Sequence, residues 1–192
     1  MYNNLVKKLI KIAIISAIII IVPVTVKALT LQIPKESSQI KIWFYLFIVT
    51  FFPAVELRGA IPLAVLLYKE PVLFSFVVIT AANILITPLV FLFWNFILLL
   101  ARKIKPFGIF FNKYIVGLQK RAKPLVDKYG FWGLLIFVAI PLPGTGAYSG
   151  ALIAEIFGMN KWKAFFAVSL GIIGASIIVT LAVTGIIPLK IK

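Results

Sequence analysis

Glu56 and Arg58 stand two residues apart inside the apolar stretch that runs from Trp43 to Tyr68. An ionisable side chain at membrane depth costs roughly 2.5–3.5 kcal/mol even on insertion scales, and it marks a substrate or ion path. Glu56 could take and release protons or hold a cationic substrate; Arg58 could hold an anion or tune its neighbour. The plainer alternative is an ion pair that pins a loop. Burial and the guanidinium act in opposite directions on the carboxyl's protonation, so sequence leaves its charge open.

A second cluster is Pro143-Gly144-Thr145-Gly146, followed by Tyr148 and Ser149. Glycines let backbone come close to a ligand, and successive N–H groups at a helix start can cradle an anion. A helix beginning near Ala147 would aim its positive end at this loop. Gly146, Gly150 and Ala154 equally have the small-xxx-small spacing of close helix packing. Glu56 is thus the expected proton-coupling group. Arg58, Pro62, Pro143, Gly144, Thr145, Gly146, Tyr148 and Ser149 are the expected substrate contacts. Glu155 and Asn83 are secondary candidates, Glu155 near the interface and Asn83 as an interhelical hydrogen-bonding group.

Several chemistries fall away. The 192 residues contain no His and no Cys, which removes disulfides, thiolate or imidazole metal sites and every His-based relay. Ser149 lies in no G-x-S-x-G elbow, and no βαβ unit surrounds the glycines. The expectation is a non-enzyme without cofactor or metal.

The elements that must position these residues are apolar helices. The chain is 62% hydrophobic and 13% charged, with mean hydropathy +1.12, outside the range of soluble domains. Its net charge of +15 would suggest nucleic acid in a soluble protein, but here the basic residues punctuate long apolar runs. The expectation is one all-α integral membrane domain and no nucleic-acid partner. Residues 9–30 form a first span rather than a cleaved signal peptide. Residues 43–100 comprise a broken segment plus a long helix with Pro88 inside it, and residues 101–130 a basic amphipathic connector. Residues 131–187 comprise a second broken segment plus a last span, with Asn160 as its N-cap.

The halves share an organisation: about ten apolar residues, a proline-containing break, a small-residue return arm, a polar turn and a long span. Pro53 aligns with Pro141, and Phe76 with Phe165 after one inserted residue. Ten residues rise roughly 15 Å, half a bilayer, which suits re-entrant hairpins sheltered by protein. This predicts three full spans plus two re-entrant helical hairpins in an inverted-topology repeat. The N-terminus would be cytoplasmic and the C-terminus external, with thirteen basic residues inside, six outside and Arg58 at depth. A five-span parallel repeat counts the same charges. The lysines at 7, 8 and 11 and the prolines at mid-span favour the hairpins.

The segments Glu56-Leu57-Arg58-Gly59-Ala60-Ile61-Pro62-Leu63 and Pro141-Leu142-Pro143-Gly144-Thr145-Gly146-Ala147-Tyr148-Ser149-Gly150-Ala151-Leu152-Ile153-Ala154 resemble the signature segments of the small multi-drug export protein family. The resemblance covers roughly Trp43 to Ile187. That family looks like a distant relative of the DedA/VTT membrane proteins. The likeness implies two inverted re-entrant hairpins, and activities ranging from polyprenyl-phosphate or phospholipid translocation to proton-dependent drug tolerance. DedA-type proteins usually carry an Arg in the second hairpin; residues Pro141 to Phe157 contain none, and Glu155 stands where a small or neutral residue is usual.

Together these readings predict a multi-pass plasma-membrane transporter, proton-coupled, working by alternating access on a small amphiphilic or lipid-like substrate. The alternatives are a DedA-type lipid translocase and a non-transporting scaffold with a structural Glu56–Arg58 pair. The partners are membrane lipids, the substrate and protons, and the small face at Gly171, Gly174 and Ser176 would suit a homodimer or equally an internal contact.

Overall fold

Uninterrupted runs of Leu, Ile, Val and Phe, with Gly and Pro confined to a few positions, leave helix as the way to satisfy backbone polar groups without water. The computed structural model describes residues 39–53, 55–142 and 144–185, and these are helical with no strand. The first span expected at residues 9–30 lies outside the described residues, as does Pro143.

Seven helices follow in order. They are α1 (Gln39–Thr50), α2 (Glu56–Pro62), α3 (Val72–Lys103), α4 (Lys105–Tyr129), α5 (Phe131–Ala139), α6 (Ala147–Ile156) and α7 (Lys161–Val183). A wider π-type turn, Leu63–Leu67, extends α2 beyond Pro62. Proline lacks the N–H that would reach back four residues, so Pro62 leaves the Arg58 carbonyl without its helical donor.

Among the described residues, α3 and α7 are the two helices long and apolar enough to cross a membrane. At 32 residues α3 measures about 48 Å, against roughly 30 Å of hydrocarbon. It continues through Pro88 as one helix. Most of its apolar surface faces outward: Leu73 and Leu92 are 75% and 72% exposed, and Phe96 is bare as well. A soluble protein would bury such a face, whereas in lipid it is the solvated side. By contrast α1 and α5, with 12 and 9 residues, reach about 18 and 14 Å.

Three pairs of helix boundaries share one displacement, the others departing from it by two to nine residues. Thr50 and Ala139, Leu67 and Ile156, and Val72 and Lys161 are each 89 residues apart. The corresponding long helices run antiparallel. Lys161, at the start of α7, places its ammonium 5.9 Å from the Phe91 ring of α3, while Ser176 further along α7 bonds Thr80, earlier on α3.

Local signals in the sequence set the boundaries. Asn160 caps α7, its side-chain oxygen accepting from the N–H groups of Trp162 (3.0 Å) and Lys163 (3.3 Å). Gly130, with φ of +51°, turns the chain between α4 and α5 where a side chain would be strained. The core joins Leu57, Ile61 and Leu63 to Ile79 and Ile86 of α3, and to Val138, Ile153, Val168 and Ile172 of the second half. The small face of α7 lies inside this packing: Cβ atoms at Gly171 and Gly174 would meet Val138 and Ala139 of α5.

Candidate functional site

The broken segments meet. Glu56 opens α2 with φ of +47°, in the left-handed region that a glutamate rarely adopts. Strain of this kind persists only where surrounding contacts over-determine it. Those contacts come from α2 itself and from the second half. Arg58 Nη1 donates to Glu56 Oε2 at 2.9 Å, with side-chain exposures of 10% and 3%. The other carboxylate oxygen, Oε1, accepts from the Tyr148 N–H at 3.4 Å, within the first turn of α6.

The α6 N-terminus, expected to receive an anion, is therefore occupied by the chain's own carboxylate. Gly146 makes this possible. A Cβ built there would fall inside the Glu56 carboxyl group, so only glycine lets the two approach.

Arg58 also reaches across. Its Nη2 donates to Thr145 Oγ1 at 2.9 Å, tying residue 58 of the first half to residue 145 of the second. The same hydroxyl has the carbonyls of Ile140 (2.6 Å) and Leu142 (2.8 Å) within reach of its single proton, and it accepts from the Leu142 N–H at 3.2 Å. Thr145 thus closes the loop on itself and presents its oxygen to the guanidinium. The Nε–H of Arg58 is buried without a partner.

Tyr148 and Ser149 serve different neighbours. The Tyr148 hydroxyl donates to the Phe51 carbonyl at the end of the first broken segment, a second tie between halves. Ser149 shares a hydrogen bond with Tyr114 of α4, Oγ to Oη 2.8 Å. Gly144 takes φ of +76°, which favours glycine, and a Cβ there would lie 3.7 Å from Arg121 Nη1. Tyr114 and Arg121 were not singled out from sequence, because both sit on what reads as a basic amphipathic connector. Their spacing of seven residues, two helical turns, places both on one face of α4 and was the available signal.

The remaining candidates lie apart from the Glu56–Arg58–Thr145 junction. Pro62 is buried as the last residue of α2. Glu155 pairs with Lys161 at 3.4 Å across the α6–α7 turn. Asn83 is fully buried on α3 with neither amide atom partnered. Among the described residues no cluster of acidic residues could hold a metal ion.

Two long apolar helices and one interior ion pair, among described residues that are helical without strands, fit a membrane protein. Residues 56–178 match the family described as "Putative small multi-drug export protein", and the chain belongs to that family. The match begins on Glu56 and includes both broken-segment motifs. No curated protein and no solved structure matches the chain.

Proposed function

We propose that the protein is a proton-coupled secondary transporter of the plasma membrane, in which the two halves form inverted repeats and Glu56 is the proton site. One observation carries this reading: the Glu56–Arg58–Thr145 contact is a buried ionic junction between the two halves. Taking a proton removes the carboxylate's charge, weakens its hold on Arg58 and on the α6 N-terminus, and frees the halves to move. The short lengths of α1 and α5, the 89-residue displacement shared by three helix boundaries and the antiparallel course of α3 and α7 support re-entrant hairpins and inverted topology. In this arrangement three helices cross fully, the N-terminus is cytoplasmic and the C-terminus external.

The family description points to multi-drug export, and small amphiphilic compounds are the substrate class proposed for it. The unpartnered Nε–H of Arg58, with Arg121 over the Gly144 loop, favours a second reading in which the substrate is a phosphate-bearing lipid. Reconstitution in proteoliposomes tests the first: Glu56→Gln abolishes pH-driven substrate movement in a protein that still inserts and folds. Full transport by that variant, with lowered thermal stability, would make the ion pair a structural pin. Native mass spectrometry of wild type and Arg58→Ala separates the substrates, because a polyprenyl phosphate retained by the former and lost by the latter excludes the drug-like cation.

A further inference from the structure

Thr80 of α3 donates its hydroxyl proton to Ser176 of α7, Oγ1 to Oγ 2.8 Å, in a fully enclosed contact. Seven residues are close to two helical turns, so Thr87 returns to the stripe of Thr80, and Ser169 to that of Ser176. Because the helices run antiparallel, seven residues forward on α3 and seven back on α7 arrive at one level. That level is about 10 Å from the first contact. By this spacing Thr87 and Ser169 fall at that level, on the stripes of Thr80 and Ser176. Both are buried, at 0% and 8% exposure, and neither hydroxyl has a hydrogen-bond partner.

A lone hydroxyl on an apolar helix has an ordinary remedy, donation to the carbonyl four residues back. Thr50 does this to Leu46, and Thr184 to Thr180. Thr87 and Ser169 do not, and their oxygens remain available to each other. Asn83, between the two levels on α3, has neither amide atom partnered either.

The correspondence between the halves relates the two pairs. A displacement of 89 residues carries Thr80 onto Ser169 and Thr87 onto Ser176. Exchanging the halves therefore converts the closed pair Thr80–Ser176 into the open pair Ser169–Thr87. In an inverted repeat, the opposite-facing state is reached by each half taking the other's conformation.

We propose that the α3–α7 crossing is a two-position latch. In the state described here Thr80–Ser176 is closed and Thr87–Ser169 open. In the second state α3 has rocked on α7 about the level of Asn83 and Ile172, closing Thr87–Ser169 and opening Thr80–Ser176. One hydroxyl pair is traded for an equivalent one, which keeps the two states close in energy, as a bistable element requires. The latch deepens the alternating-access reading above and rests on it for its purpose, but its test requires no transport.

The chain contains no cysteine, so paired replacements report without background. Two variants, T80C/S176C and T87C/S169C, are reconstituted in lipid and treated with a mild oxidant. Proteolysis in the α4 connector then shows whether the two halves remain linked. Each pair is expected to form a disulfide by itself, T87C/S169C the more slowly. In the four-cysteine variant, each molecule should carry one disulfide or the other, counted by intact mass. Adding Thr80→Val to T87C/S169C removes the competing hydroxyl pair and should speed that crosslink several-fold.

Failure of T87C/S169C to crosslink where T80C/S176C does would leave a static crossing and overturn the proposal. Two disulfides in one molecule would show a continuous seam without exchange, and overturn it too. Loss of the T80C/S176C crosslink would remove the closed pair itself. An unchanged or slower crosslink with Thr80→Val would sever the competition on which the latch depends. A protein that exchanges crosslinks but moves no substrate keeps the latch and loses the transporter reading; one that transports without exchange does the reverse.

Discussion

Gly146 and Glu56 occupy space that neither could share with a larger partner. The Glu56 carboxyl group lies where a Cβ on residue 146 would be, and from there it accepts from the N–H of Tyr148 and pairs with Arg58. A left-handed glutamate, a glycine 90 residues away and a helix N-terminus thereby form one unit.

Gly146→Ala displaces that carboxylate and is expected to lower stability by about 1–3 kcal/mol, as overpacking does. Gly117→Ala, in α4 with nothing within 4 Å of the added carbon, is the control. It should be neutral or stabilise by up to about 1 kcal/mol through its better helix propensity. Thermal unfolding of the two variants in the same detergent checks the contrast.

The ion pair predicts non-additive losses. Arg58→Gln leaves a buried carboxylate without its cation and should cost about 3–5 kcal/mol. Glu56→Gln leaves the buried guanidinium without its counter-charge in the same way and should cost a similar amount, about 3–5 kcal/mol. The double variant should lose less than the two single losses combined, by about 0.5–3 kcal/mol. Strict additivity in chemical denaturation would mean the two side chains do not interact.

Tyr148→Phe and Tyr114→Phe remove hydroxyls with different neighbours. Tyr148 ties α6 to Phe51 of the first half, whereas Tyr114 ties α4 to Ser149. Each should cost about 0.5–1.5 kcal/mol. Hydrogen exchange should then rise around residues 51–56 in the first variant and along α4 in the second. Identical exchange maps would contradict the assignment.

Asn160→Ala removes the α7 cap and should cost about 0.5–2 kcal/mol, with Asn160→Asp or Asn160→Ser restoring most of it. Lys123→Ala, which breaks an exposed i,i+4 pair with Asp127, should change stability by less than about 0.5 kcal/mol. Melting curves of this pair of variants set a cap against a surface ion pair on one scale.

Much of the local architecture was legible because helices in an apolar chain are set by neighbours. Composition required helices, Pro53 and Pro141 marked the breaks, Asn160 marked the start of α7, and the spacing of Phe107, Phe111 and Tyr114 marked an amphipathic α4. Glu56 and Arg58 stood out because charge is scarce and costly in such a run. Spacing alone left open whether they pair; the structure puts both in the first turn of α2, where Arg58 Nη1 reaches Glu56 Oε2.

What only the tertiary structure decided is who meets whom across about 90 residues of chain. The N-terminus of α6 reads as an anion cradle from sequence; folding fills it with Glu56. Glu155, placed near an interface, finds Lys161. Arg121 and Tyr114, in a segment that reads as a basic connector, come to the Gly144 loop and to Ser149. Sequence records periodicity, capping and the cost of a buried charge, because those depend on residues within a few turns. The contacts between halves depend on how the helices dock, and that is fixed by the sum of many small packing terms written at no single position.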